Sequence, residues 1–234
     1  MSNRVIKILV PIISIILGLL VGAIVMWISG YDAVKAYIAL WDGIFGSPYA
    51  IGETIRQISP YILAGLAVAF AFRTGLFNIG VEGQLLVGWF AAAYVGMAVE
   101  LPKVIHLPVA LLAAAAAGAL WGLIPGILKA TLRVHEVIVT IMMNYIALYV
   151  VNALIDKVSG GSYKTERIQE SASLRSNFLS ELTDFSTLHY GIIIALFMVI
   201  VMWFLLEKTK TGYELKAVGF NDHASQYAGM SVKK

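Results

Sequence analysis

The chain has 234 residues, of which 59% are hydrophobic and 13% are charged, and its mean hydropathy is +0.82. Soluble domains are far less apolar, so this composition indicates an integral membrane protein. The formal net charge of +3 is too small to indicate nucleic-acid binding, and the absence of cysteine excludes a disulfide framework and a thiolate metal site.

The first predicted elements carry the chain across the membrane and back. An uncharged run at 8–29 is long enough to span a hydrocarbon core of ~30 Å, and we interpret it as a retained signal anchor. Residues 31–47 mix charged side chains with aromatic ones typical of the membrane interface, so we expect them on the outer surface. The chain then re-enters at 49–72, where Pro60 predicts a kink.

A polar stretch rich in glycine follows at 75–84, reading GLFNIGVEGQ, and apolar runs at 60–72 and 85–99 flank it. An unpaired amide or carboxylate is costly in hydrocarbon, and irregular backbone is tolerated there only inside protein or beside water. We therefore predict a broken or re-entrant segment near 73–84. Its polar side chains are candidates for the lining of a translocation path, and they are Asn78, Glu82 and Gln84.

The same side chains also have a plainer interpretation. Asn78 and Gln84 would then hold helices together through hydrogen bonds worth about 1 kcal/mol each, and Glu82 would form an ion pair with Arg73. The sequence leaves both interpretations open.

Three further spans are predicted at 107–128, 137–154 and 189–206. Small residues along the first of them permit close helix packing. The second carries Asn144 and Tyr145, for which helix packing and a place in the path are both considered. The polar stretch 156–188 is expected to be an external loop with one short helix.

The predicted fold class is all-α and polytopic, with about six transmembrane helices in one domain over 1–234. With the N-terminus inside, the basic connections fall on the cytoplasmic side, as the positive-inside rule requires. The residues that carry this bias are Arg4, Lys7, Arg73, Lys129, Arg133, Lys208 and Lys210. The hydrophilic segment 207–234 is then cytoplasmic.

Motifs for catalysis and cofactor binding are missing from the chain. It has no GxxxxGK[ST], GxSxG or GxGxxG, and Val139 stands where the zinc motif HExxH that begins at His135 needs its second histidine. We expect no enzyme, cofactor or metal site. Interfacial solvation is expected for all four histidines, which are His106, His135, His189 and His223.

Three blocks carry a family resemblance: GLFNIGVEGQ, HEVIVTIMMNYIA and GYELKAVGFNDHASQYAGM. In this order they resemble the membrane-spanning permease subunits of bacterial ATP-binding-cassette (ABC) importers for ribose-type sugars, branched-chain amino acids and nucleosides. The first block is similar to that of the nucleoside branch, which works with basic-membrane-lipoprotein receptors. The resemblance implies a multi-pass subunit in the bacterial cell membrane. Its partners would be an ATPase subunit, a second permease subunit and an extracytoplasmic substrate-binding lipoprotein.

The resemblance also implies that the last block is the coupling helix that docks on the ATPase subunit. We expect one cytoplasmic helix over 213–230 with a face of small residues. Its candidate contacts are Gly219, Ala224, Tyr227, Ala228 and Gly229. Family members usually continue through more membrane helices, so the chain is expected to be part of a longer permease.

Three alternatives are considered. Within the family, the solute would be a simple sugar or a branched-chain amino acid. An ion-coupled secondary transporter would use Glu82 as the carboxylate that titrates with the coupling ion and would need no ATPase. An intramembrane enzyme would need a nucleophile or a metal pair at matched depth, and the sequence offers none.

Overall fold

The structure is a computed structural model that describes residues 3–161 and 164–231, with the backbone alone for residues 3–8. Two residues of the predicted external loop, Ser162 and Tyr163, and residues 232–234 of the predicted tail lie outside the described part. The described residues form ten α-helices and one 3-10 turn, Glu170–Ala172. The helices are α1 Asn3–Ile28, α2 Ala33–Phe45, α3 Pro48–Arg73, α4 Val81–Ala98, α5 Lys103–Leu132, α6 Glu136–Val158, α7 Asn177–Leu182, α8 Gly191–Lys208, α9 Lys210–Phe220 and α10 Asp222–Tyr227.

Six of the described helices are long and apolar enough to cross a membrane, namely α1, α3, α4, α5, α6 and α8. The prediction of an all-α polytopic membrane protein with about six spans is therefore confirmed. The helix α2 is not among them, in agreement with the expectation that 31–47 does not span. The helix α3 runs through Pro60 without interruption, so the proline predicted to kink this helix does not end it.

The chain divides into two compact units, residues 1–55 with 177–188 and residues 56–176 with 189–234. In the first unit α2 packs on α1. Asp32 caps α2, because its side chain accepts hydrogen bonds from the backbone nitrogens of Val34 and Lys35 at 3.0 and 3.1 Å.

The first unit also anchors the segment 183–188 on the start of α3. Glu53 accepts hydrogen bonds from the backbone nitrogen and the hydroxyl of Thr187, both at 2.6 Å. Beside it, a Cβ placed on Gly52 would lie 2.8 Å from Cβ of Ser186 and 2.9 Å from Cβ of Thr183. Only a glycine allows this approach.

The second unit is built around α4, which packs on α5 and α6. A Cβ on Gly88 would lie 2.9 Å from the carbonyl oxygen of Ala114, and one on Gly118 would lie 3.3 Å from that of Gln84. The backbones of α4 and α5 are thus in direct contact, as the small residues of 107–128 predict. In contrast, a Cβ on Gly126 of α5 would meet no atom within 4 Å.

One end of the second unit is closed by a buried histidine. His106 is 0% exposed; its Nδ1 lies 2.7 Å from Oγ of Ser171 and its Nε2 lies 3.1 Å from the carbonyl oxygen of Val95. Since a carbonyl can only accept, we assign the proton to Nε2. The expectation of interfacial solvation is wrong for His106, because the loop after α6 packs over this end of α5 and shields it from solvent.

Candidate functional site

The candidate site begins at the break between α3 and α4. Residues 74–80 are not helical and α4 starts at Val81, so the irregular segment is shorter than the predicted 73–84. The side chain of Asn78 accepts a hydrogen bond from the backbone nitrogen of Gly80 at 2.8 Å, a local bond that turns the chain into α4. Glu82 and Gln84 consequently lie in the first turn of a regular helix.

The first turn of α4 is held by side chains of α6. Gly80, the N-cap residue, has no side chain to satisfy the first backbone nitrogens of the helix. Asn144 replaces that cap: its Oδ1 accepts from the nitrogen of Gly83 at 2.8 Å, and its Nδ2 donates to the carbonyl oxygen of Ile79 at 2.9 Å. Thr140 accepts from the nitrogen of Ile79 at 3.3 Å and donates to the carbonyl of Glu136 within its own helix at 2.8 Å.

Gln84 and Glu82 point away from each other. Residues two apart on a helix are separated by about 200°. Gln84 faces α5, where a Cβ on Gly122 would lie 2.9 Å from its Nε2. Glu82 is exposed, and within the described part of the chain its carboxylate makes no ion pair, so the pairing with Arg73 considered from the sequence is wrong.

A cavity of about 260 Å³ lies between α3, the 74–80 loop, α4, α5 and α6. Most of its lining is apolar or glycine. The residues that bring polar side chains to the lining are Thr74, Asn78, Gln84, Lys129, Glu136 and Thr140.

The charged groups of this cavity form an ion pair across the α5–α6 connection. Nζ of Lys129 lies 2.6 Å from Oε2 of Glu136, and the two side chains are 39% and 21% exposed. Between them Arg133 ends α5 in the left-handed conformation with φ 53°, which reverses the chain. The cavity wall therefore carries two opposite charges that neutralise each other.

The structure does not bring the five predicted path residues to one place. Asn78 and Gln84 share the cavity, and Asn144 turns to the backbone of the 74–80 loop and α4. Glu82 is exposed on α4, and Tyr145 is 58% exposed on α6. For Asn144 and Tyr145 the cause is the geometry of α6, because neighbours on a helix differ by about 100°.

Sequence reasoning missed Lys129 and Glu136 as parts of this site. Both residues lie between the spans predicted at 107–128 and 137–154, and therefore outside the apolar runs in which a lone charge would indicate a functional role. Their separation of seven residues across a helix junction carries no periodic signal.

The last block forms two helices, so the prediction of one helix over 213–230 is wrong. Asn221 adopts an extended conformation, with φ −162° and ψ 107°, and its side chain accepts from the nitrogen of Ala224 at 2.9 Å. It thereby caps a new helix, α10, for which an asparagine is well suited. The single small-residue face is consequently divided between α9, α10 and the residues after it.

The candidate contacts of this block differ in exposure. Tyr227 is 96% exposed and Ala224, Ala228 and Gly229 are also exposed. Gly219 instead lies against the 73–75 turn of its own chain, where a Cβ would be 2.6 Å from the carbonyl oxygen of Arg73.

Comparison with known proteins places this arrangement in a family. Residues 50–234 match the family described as the permease component of the branched-chain amino acid transport system. The chain belongs to this permease family. The permease is therefore a transport subunit, and the six apolar helices of its described part make it a multi-pass membrane protein.

Curated relatives of the permease are named for several solutes. The guanosine ABC transporter permease of Bacillus subtilis is 65% identical over 100% of this chain and 68% of its own length. The nucleoside ABC transporter permease of Lactococcus lactis is 40% identical over 100% of this chain and 66% of its own. The glucose ABC transporter permease of Haloferax volcanii is 34% identical over 94% of this chain and 60% of its own.

The permease chain thus spans about two thirds of the length of these relatives. No solved structure gives a significant match.

Proposed function

We propose that the chain is part of the transmembrane subunit of an ATP-driven ABC importer of nucleosides in the bacterial cell membrane. The observation that carries the proposal is the 65% identity with a guanosine permease over the whole chain. The second relative, at 40% identity, is named for nucleosides. A simple sugar is the alternative solute, because the relative at 34% identity is named as a glucose permease.

The cavity supports a neutral polar solute. Asn78 and Gln84 offer amide donors and acceptors to hydroxyl groups or to the edge of a base, and the charges of Lys129 and Glu136 compensate each other. A solute with a net charge would have to compete with that pair. The lining therefore suits a nucleoside better than an ionic substrate.

The other predicted path residues take different parts in this proposal. Glu82 and Tyr145 would meet the solute only where a second permease subunit covers their exposed helix surfaces. Asn144 would act through the 74–80 loop, whose backbone it binds.

We also propose the partners that an ABC importer requires. Segment 207–234 is the cytoplasmic coupling region, and α10 with its following residues is the proposed contact for the ATPase subunit through Ala224, Tyr227, Ala228 and Gly229. The exposure of Tyr227 and Phe220, at 96% and 91%, supports a covering partner there. The external loop 156–188 is the proposed contact for the substrate-binding lipoprotein.

Uptake of radiolabelled guanosine tests the proposal. The protein is expressed with its ATPase and lipoprotein partners in cells that lack their own nucleoside importers. We expect saturable uptake that stops when the P-loop lysine of the ATPase is replaced by alanine. Uptake that continues with this inactive ATPase and falls on collapse of the proton gradient would identify an ion-coupled transporter instead.

Competition assays address the solute. An excess of unlabelled inosine should suppress guanosine uptake, whereas glucose or leucine should not. Uptake of labelled glucose in place of guanosine would overturn the nucleoside assignment. The variant Asn78→Ala should raise the KM for guanosine, while Asn152→Ala, on an exposed part of α6, should leave it unchanged.

A further inference from the structure

We propose that the backbone contact between Gly219 of α9 and the 73–75 turn is the joint through which movement of the coupling region reaches the candidate site. The inference rests on the proposed function, in which α9 and α10 form the region that the ATPase subunit moves. The proposed role of Gly219 and Gly75 is to position other residues, because neither glycine lines the cavity.

The contact is made by two backbones with no side chain between them. A Cβ on Gly219 would lie 2.6 Å from the carbonyl oxygen of Arg73 and 2.8 Å from both the nitrogen of Gly75 and the carbonyl carbon of Thr74. A Cβ on Gly75 would lie 2.8 Å from Cα of Gly219. Real Cβ atoms essentially never approach so closely. Since backbone atoms cannot rotate away as a long side chain can, a displacement of α9 toward the turn must also displace the turn.

The helix α9 is firmly tied to the end of α8. Thr209 donates to the carbonyl oxygen of Leu205 at 2.6 Å and accepts from the nitrogen of Gly212 at 3.1 Å. Lys216 forms an ion pair with Glu207 at 2.9 Å. Because these bonds fix α9 to the end of α8, a force on α9 acts on the 73–75 turn and on α8 together.

The other side of the joint leads to the cavity within a few residues. The turn continues into the 74–80 loop, which contributes Asn78 to the cavity lining. Thr140 and Asn144 bind the far end of that loop at Ile79, and Asn144 also binds Gly83. Movement at Gly75 would consequently shift a lining residue and the capped start of α4.

The variant Gly219→Ala tests the joint. Alanine stabilises a helix by about 1 kcal/mol relative to glycine, so α9 itself should not be weakened, but its Cβ has no room against the turn. In the assembled transporter we expect guanosine uptake to fall at least tenfold while ATP hydrolysis stays within twofold of the parent. The matched control is Gly65→Ala, since a Cβ on this glycine of α3 meets no atom within 4 Å.

The two activities separate the possible outcomes. Uptake by Gly219→Ala equal to that of Gly65→Ala would overturn the joint. A parallel loss of assembly, ATP hydrolysis and uptake would show a merely structural contact and would also overturn it. Absence of guanosine uptake in the parent and the control alike would instead reject the proposed function.

A measurement on the unmodified transporter avoids dependence on the folding of a variant. Vanadate trapping of the ATPase should change amide hydrogen exchange in α9, in the 74–80 loop and at the start of α4. A change in α9 without any change in 74–80 would contradict the inference.

Discussion

Asn144 of α6 accepts a hydrogen bond at 2.8 Å from the backbone nitrogen of Gly83, a residue in the first turn of α4. The same amide donates to the carbonyl oxygen of Ile79 at 2.9 Å. The backbone nitrogen of Gly83 is buried and lies in the first helical turn, where backbone nitrogens have no partner within the helix, so a cap is needed from elsewhere. The cap comes from a different helix, and the irregular loop and α6 are thereby fixed to each other.

Replacement of this amide should destabilise the permease. Asn144→Ala leaves the buried nitrogen of Gly83 without its partner, at a cost of about 1–3 kcal/mol, and loss of the bond to the more exposed carbonyl of Ile79 adds less. We expect a lower Tm in detergent. Asn152→Ala, on the exposed part of the same helix, should unfold with the parent. An unchanged Tm for Asn144→Ala would show that the cap supplied by Asn144 does not contribute to stability.

The contact between α4 and α5 should not tolerate a methyl group. Gly88→Ala would place Cβ 2.9 Å from the carbonyl oxygen of Ala114, so the helices must separate. We expect destabilisation of about 1–3 kcal/mol, measured by thermal unfolding against Gly65→Ala, which has open space. If both variants unfold at the same temperature, the close approach does not matter for stability.

The ion pair in the cavity wall should respond to charge reversal in a characteristic way. Lys129→Glu leaves two carboxylates together and should reduce both Tm and guanosine uptake, and Lys129→Glu with Glu136→Lys should restore part of each. Because the two side chains are 39% and 21% exposed, the coupling energy is expected to be modest, about 1 kcal/mol. A double variant no better than the single one would argue against a direct pair.

The buried His106 should slow amide exchange in the loop after α6. His106→Phe retains a ring but loses the bonds to Ser171 and to the carbonyl of Val95. We expect faster amide exchange in 168–172, with no such change in His223→Phe, whose parent side chain is exposed. Equal exchange in both variants would show that packing alone holds the loop.

The spans could be predicted from the sequence because each is a long apolar run whose cost of exposure to water is large. The direction in which single polar side chains point could not. Glu82 and Gln84 stand in the same polar block, yet the helix that begins at Val81 turns them to opposite sides. The block alone does not show where the helix begins.

Each of the other differences between prediction and structure comes from a particular contact. His106 was expected at an interface because it follows a polar connection, but a loop more than 60 residues later covers it, and local patterns do not contain such a contact. In the last block the small residues suggested one continuous face, whereas the cap at Asn221 divides the helix. Asparagine is compatible with helix interiors and with caps, so tertiary contacts decide between them.

The cap that Asn144 of α6 supplies to α4 also determines the order in which these helices can be completed during synthesis. Asn144 follows Gly83 by 61 residues, so a ribosome that adds about 5–20 residues per second makes Asn144 roughly 3 to 12 s after it has made Gly83. During that interval the nascent α4 has an uncapped end, and it must stay near water or the insertion machinery. We therefore expect the first turn of α4 to become protected from amide exchange only once α6 is in place.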